Sequence, residues 1–347
     1  MIIEPGEDSA VILDRDQVQV SGGRYAELYG SVAVAYGRIY FTSEAGIYCL
    51  GDKSASFVVS AAPPVPLAAE SSQRGPAAHL LVVPGELALR SGDEVALEVH
   101  AFDASGAALG TVDGEWALRD LQVDLSGGKL RVPADSGVQA GVAIVTSGGL
   151  EAMARVRIFP PLPWVENFDS IEPGGRRSHW MGASRYQVEA ADSGNVLVKP
   201  VAARGLLRSN LFIGPAWLSE YTIQADVKLT QKGRRRSDGG LINSGYTLDL
   251  MGTHQRIQLR SWATVLRIKE EVDFELEMDT WYTVKLRVEK DGEKAIARAK
   301  VWARGEEEPQ DWTLSATDPF PIRRGAPGLQ AYSPANFYFD NVRVTGN

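Results

Sequence analysis

Cysteine is almost absent from this chain. Cys49 is the single one among 347 residues, so no disulfide forms within the chain and no thiolate cluster can hold zinc. Placed in a short aromatic hairpin, it is expected to be buried as a small apolar residue. Histidine is scarce too. His79, His100, His179 and His254 are the four, with no His-x-x-x-His or His-Glu-x-x-His spacing. A histidine metal site or triad therefore has no local support, although partners that meet only in space stay open. Neither a Gly-x-Ser-x-Gly elbow nor a P-loop occurs. No apolar run approaches the roughly 18 residues that a membrane-crossing helix needs. The opening M-I-I-E-P-G-E-D lacks a basic n-region and an apolar h-region, and does not read as a signal peptide. Positive charge is in deficit: 36 basic against 44 acidic residues give a net −8. That balance argues against nucleic acid or an anionic membrane as the main partner. One basic run, Lys232 to Arg236, departs from it and reads as a solvated hairpin tip.

Helical periodicity is rare, whereas two-residue alternation recurs along the chain, punctuated by 35 glycines and 18 prolines. The fold class is all-β, in four stretches. Residues 1–58 hold short candidate strands at Val11–Leu13, Val18–Val20, Ser31–Ala35, Arg38–Thr42, Ile47–Leu50 and Phe57–Ser60. The Ser43-Glu44-Ala45-Gly46 turn is expected to use Gly46 at positive φ. Residues 59–78 are a Pro/Ala-rich linker. Residues 79–160 carry seven alternating runs, enough for an immunoglobulin-like sandwich with Trp116 as core aromatic. D-A-S-G at Asp103–Gly106 and L-S-G-G at Leu125–Gly128 are its candidate turns. Residues 161–347 supply roughly a dozen strands, the size of a double-sheet jelly roll. Within them Tyr221, Ile223, Ala225, Val227 and Leu229 fall on one face.

Several of these stretches resemble known families. G-R-I-Y-F, a turn and G-I-Y-C-L resemble one repeat of the PQQ-like (pyrroloquinoline-quinone-type) β-propeller. Only 35 residues precede Tyr36, too few for the several blades that a propeller needs, so the remaining blades are expected upstream and no PQQ is expected here. Residues 79–160 resemble bacterial Ig-like repeats. The opening W-V-E-N-F-D-S and the closing P-G-L-Q-A-Y-S-P-A-N-F-Y-F-D-N-V-R-V resemble the paired first and last strands of concanavalin A-like (laminin-G-like) jelly rolls. G-G-L-I-N-S-G-Y-T-L-D-L is similar to the 3-keto-disaccharide hydrolase domain. The series as a whole resembles exported PQQ-like propeller proteins of bacteria. That resemblance implies a periplasmic, cell-surface or secreted setting.

Three constellations carry candidate chemistry. In jelly rolls of this kind the first and last strands often share a structural calcium ion, which here would draw on Glu166, Asn167, Asp169, Asp340 and Asn341. The competing reading has Asp340 accepting backbone N–H bonds. Glu275, Glu277 and Asp279 alternate like paired catalytic carboxylates, yet an acidic, edge-protecting segment explains them as well. In Q-R-I-Q-L-R-S-W, Arg256, Gln258, Arg260 and Trp262 share one face while Ile257 and Leu259 face the core. Guanidinium and amide donors beside an aromatic plane suit sugar hydroxyls and C–H faces. Asn243, Tyr246, Asp249 and His254 are candidates for the same surface. Trp180, Trp217, Trp281, Trp302, Trp312 and Tyr332 add aromatic content. The expected role is non-catalytic binding of carbohydrate or cell-envelope material by the jelly roll. A glycoside hydrolase or lyase, 3-keto-glycoside hydrolase-like, is the alternative, and a purely structural adhesion module is the third.

Overall fold

The computed structural model describes residues 2–6, 9–14, 30–43, 46–52, 54, 74–192, 194–203, 205–261 and 266–347. The expected strands Val18–Val20 and Phe57–Ser60, the centre of the Ser43–Gly46 turn, most of the 59–78 linker and Trp262 lie outside these residues. The chain divides into two compact units, Met1–Ser72 and Gln73–Asn347. Among the described residues every extended element is a strand, apart from one turn of 3-10 helix at Ala183–Arg185. The protein is all-β.

In the first unit Ile2–Pro5 pairs with Ala10–Asp14, and Ala33–Ala35, Arg38–Ser43 and Gly46–Leu50 form a three-stranded meander. Tyr36 and Gly37 take the left-handed backbone, φ 51° and 64°, that a tight two-residue hairpin turn requires. Gly46 has φ 156°. Phe41 and Tyr48 stack across the second hairpin with ring centroids 5.0 Å apart. Cys49 is exposed, contrary to the expectation of burial. It lies opposite Tyr40, whereas the stacked Phe41–Tyr48 pair takes the other face, because strand side chains alternate.

The second unit contains two apolar cores. Around the first lie three small sheets built from residues 77–159. Seven strands were expected there and ten form. The run around Val95–Val99 divides into Glu94–Ala96 and Glu98–Asp103 in different sheets, Glu86–Arg90 and Ala108–Thr111 are added, and Glu86–Arg90 runs parallel to Leu150–Phe159. Trp116 packs against this core. Both predicted turns form, and Gly127 and Gly128 have φ 54° and 76°.

The second core lies between two large antiparallel sheets, the double-sheet arrangement of a jelly roll. One sheet has eight strands, with Tyr221–Leu229 and Phe337–Gly346 at its middle and Trp164–Glu166 pairing alongside Phe337–Gly346. The first and last strands of this part therefore pair, as the resemblance implied. Tyr221, Ile223, Ala225, Val227 and Leu229 are all fully buried, on the face read from the sequence. The other sheet has six strands: β1 (Arg208–Phe212), β2 (Asp238–Asn243), β3 (Tyr246–Met251), β4 (Arg256–Ser261), β5 (Lys269–Asp273) and β6 (Gly328–Tyr332). They lie in the order β1-β6-β2-β3-β4-β5. Register aligns Leu211, Leu329, Leu241, Leu248 and Leu259 in one row across five of these strands, each fully buried in the core. Side chains alternate across a strand, so the neighbours of these leucines project from the opposite face of the sheet.

Candidate functional site

The outward face of the six-stranded sheet carries three cross-strand rows. The middle row reads Asn210, Gln330, Gly240, Asp249, Gln258, Glu271. One flanking row reads Arg208, Tyr332, Asp238, Met251, Arg256, Asp273, and the other Phe212, Gly328, Ile242, Thr247, Arg260, Lys269. Gly240 leaves a gap in the middle row between Gln330 and Asp249. A Cβ there would lie 2.1 Å from the Leu248 carbonyl oxygen, so the strands meet too closely for any larger residue.

Six of these polar residues (Asp238, Thr247, Asp249, Gln258, Arg260 and Gln330) are buried, which is costly unless each is paired. Some are. Arg260 Nη2 lies 3.4 Å from Asp249 Oδ2, Arg256 reaches Glu271 at 3.2 Å, and Gln258 donates to Glu271. Lys269 also pairs with Glu271, at 3.1 Å. The guanidinium of Arg208 lies 5.7 Å from the centroid of the Tyr332 ring. Others are left over. Asp238 Oδ1, Asp249 Oδ1, Thr247 Oγ1, Arg256 Nε and Gln330 Nε2 are buried without a hydrogen-bond partner, all on this one face. The Gln330 amide comes near enough to Asp249 to favour its charged form, without the geometry of a hydrogen bond. Burial, and then the charge of Asp249, push the Asp238 carboxyl up to about 6. Burial also raises Asp249, against the pull of Arg260 and Arg208.

The sequence-predicted residues separate. Arg256, Gln258 and Arg260 share the outward face, with Ile257 and Leu259 in the core, as read. Asp249 belongs with them. His254 is exposed in the turn between β3 and β4, within electrostatic reach of Asp238. Asn243 does not join the face. It is fully buried between the sheets, and its amide donates to the carbonyls of Tyr221 at 2.7 Å and Leu286 at 3.1 Å. Tyr246 also points inward and donates to Asp318 at 2.8 Å. The tryptophans disperse. Trp180 is buried in the core, and Arg90 lies over Trp217. Trp281, Trp302 and Trp312 each take a lysine ammonium on the eight-stranded sheet. Asn210, Gln330 and Asp238 were not singled out in the sequence. Nothing local marks them, since register alone brings them to Asp249.

The carboxylates expected to share calcium are held differently. Asp340 and Asp226 are bridged by Arg304, at 3.3 and 3.2 Å, with Asn341 donating to both. Glu166 is clasped by Arg177 at 2.7 Å. Asp169 accepts the Asn195 backbone N–H at 2.8 Å. Among the described residues no three acidic, histidine or cysteine side chains form a metal-binding group. Glu275, Glu277 and Asp279 are exposed outside any strand, and Asp279 has φ 62°.

An aromatic cavity of about 470 Å³ lies elsewhere in the second unit, lined by Phe159, Trp164, His179 and Trp180 among others. Several of its polar groups are paired: Glu166 with Arg177, and the Trp164 indole donates to the Pro160 carbonyl at 3.0 Å. Burial pushes His179 down to about 4, so it stays neutral. The outward face, by contrast, retains unspent donors and acceptors.

These features define an all-β protein with a jelly-roll sandwich bearing a polar, partly unsatisfied sheet face. No family model and no curated protein matches the chain. Solved structures of related shape include a galectin-like protein of unknown function from Bacillus subtilis, at 11% identity, 52% of this chain, 94% of that one and a TM-score of 0.38. They include arcelin-5, a lectin-like defence protein from Phaseolus vulgaris, at 7% identity, 53% and 98% coverage and a TM-score of 0.36. The catalytic domain of a glycoside hydrolase family 131 protein from Coprinopsis cinerea gives 9% identity, 53% and 94% coverage and a TM-score of 0.36. Likeness at this level transfers no function.

Proposed function

We propose that the outward face of the six-stranded sheet binds carbohydrate. The observation that carries this reading is the set of five buried, unpartnered polar atoms on that face: Asp238 Oδ1, Asp249 Oδ1, Thr247 Oγ1, Arg256 Nε and Gln330 Nε2. Buried polar groups are nearly always paired, and an orphan requires a reason. A sugar supplies hydroxyls that both donate and accept, spaced along a ring, which matches a mixed row of amides, carboxylates and guanidinium groups. Tyr332 offers an aromatic plane at one end of the face. On this reading the chain is the binding portion of an exported protein. The test is a glycan array probed with the full chain and with Asp249→Asn/Gln258→Ala. The account expects hits that fall at least tenfold in the variant, whereas a blank array or an indifferent variant rejects it.

One observation favours a second reading, glycoside hydrolysis. Asp238 and Asp249 lie on neighbouring strands of one face, and the charge of Asp249 raises the proton affinity of Asp238 beyond what burial does alone. A carboxyl held protonated near neutral pH is what a general acid requires. Release of reducing sugar from an array hit, lost in Asp238→Asn by a larger factor than its binding falls, would establish this activity; no release would leave binding as the sole role.

A further inference from the structure

The basic run Lys232–Arg236 is not only a hairpin tip. Gln231–Lys232 pairs with Arg235–Arg236 around Gly233, and the hairpin borders a cavity of about 590 Å³ lined by Arg234, Arg235, Arg236, Tyr332, Thr253, Leu207, Ala202 and Pro334. Tyr332 belongs to both places, since it lines this cavity and also stands in the outward row between Arg208 and Asp238. Thr253 comes from the β3–β4 turn that also carries His254. The cavity is thus the open end of the polar face.

Its charge is unusual for this molecule. Among the described residues, Arg234, Arg235 and Arg236 have no carboxylate ion-pair partner, although acidic residues outnumber basic ones by eight over the chain. Arg236 is fixed by uncharged groups, the Gln231 side-chain oxygen at 3.1 Å and the Gly252 carbonyl at 3.3 Å. Three guanidinium groups around one cavity repel one another, and an anion would relieve that repulsion. Guanidinium is planar and binds carboxylate or sulfate oxygens in pairs.

We infer that this cavity receives the acid group of an anionic glycan, a uronate carboxylate or a sulfate ester, whose neighbouring sugars lie on the outward face. The inference rests on the carbohydrate reading above and names its ligand class. It is tested by calorimetric titration of the full chain with two matched pairs, polygalacturonate against its methyl ester and dextran sulfate against dextran. The expected result is at least tenfold tighter binding of the acid member in one pair, weakening as salt rises. Preference within the first pair identifies carboxylate, and within the second sulfate. Arg234→Gln/Arg235→Gln, which keeps the Arg236 bonds, should abolish that preference while leaving the neutral member's affinity unchanged. Asp249→Asn/Gln258→Ala should weaken both members alike. Equal binding within both pairs overturns the inference and leaves the carbohydrate reading standing. A preference that survives in Arg234→Gln/Arg235→Gln, no binding in either pair, or equal affinity for single-stranded oligodeoxythymidylate also overturns it. Acid preference untouched by Asp249→Asn/Gln258→Ala would instead reject the reading on which it rests.

Discussion

Asp238 holds the sharpest conflict between stability and binding. Its folded pKa of about 6 lies above the ordinary value of 3.8, so folding favours its protonated form. Its stabilising contribution is complete below the unfolded value and is lost as pH rises through about 6. At neutral pH the protein therefore carries a buried charge that weakens the fold by on the order of 1–3 kcal/mol. Asp238→Asn should raise stability by that amount at pH 7.5, with the gain shrinking toward pH 4. Urea midpoints of the two proteins across this range would show it, and equal midpoints at pH 7.5 would mean the carboxylate is satisfied. His179 acts in the opposite sense, since a histidine held neutral by burial loses stability as pH falls from about 6.5 toward 4. Comparing variant with wild type at each pH cancels that contribution. A more stable but binding-deficient Asp238→Asn is what a site maintained for a ligand predicts.

Elements are held by buried ion pairs as well as by leucine rows. Asp318, on Leu314–Asp318 of the eight-stranded sheet, is fully buried and accepts from Arg267 at 2.8 Å, from the Tyr246 hydroxyl and from the Phe320 backbone N–H. Arg267 precedes β5 and Tyr246 opens β3, so the network ties the edge of one sheet to the other. Arg267→Ala leaves Asp318 buried without its cation and should cost roughly 3–5 kcal/mol. Adding Asp318→Asn should recover part of that loss in the same denaturation measurement, and additive losses would contradict the pairing. Such networks are invisible in the sequence because their members are dozens of residues apart. What was legible is local. The alternation in Tyr221–Leu229 gave its inward face, and R-I-Q-L-R placed Arg256, Gln258 and Arg260 correctly because one strand holds them all. Asn210 and Gln330 join that group only when β1 and β6, 120 residues apart in the chain, pair with each other and β6 pairs with β2. Asn243 was misplaced for the converse reason: its strand is buried on both faces, where a polar residue gives no sign of its direction.

The molecule as a whole combines a jelly-roll sandwich, a smaller set of sheets on a separate core, and a first unit that exposes Val34, Ile47 and Leu50. Such exposed apolar strands are what a partner surface would cover. Two outer sheet faces compete as the place where a glycan would bind. The eight-stranded sheet has its own cavity of about 510 Å³, lined by Lys285, Lys300, Glu308 and Trp312, but Glu308 pairs with both lysines there. The six-stranded face keeps its unpartnered groups. Carboxyl footprinting by carbodiimide labelling and mass spectrometry, with and without a saturating array-hit glycan, separates the two. Asp273 and Glu271 mark one face and Glu308 the other. Protection of Asp273 and Glu271 with Glu308 unchanged is the predicted result; protection of Glu308 alone, or of none of the three, would contradict the assignment of the six-stranded face as the carbohydrate site.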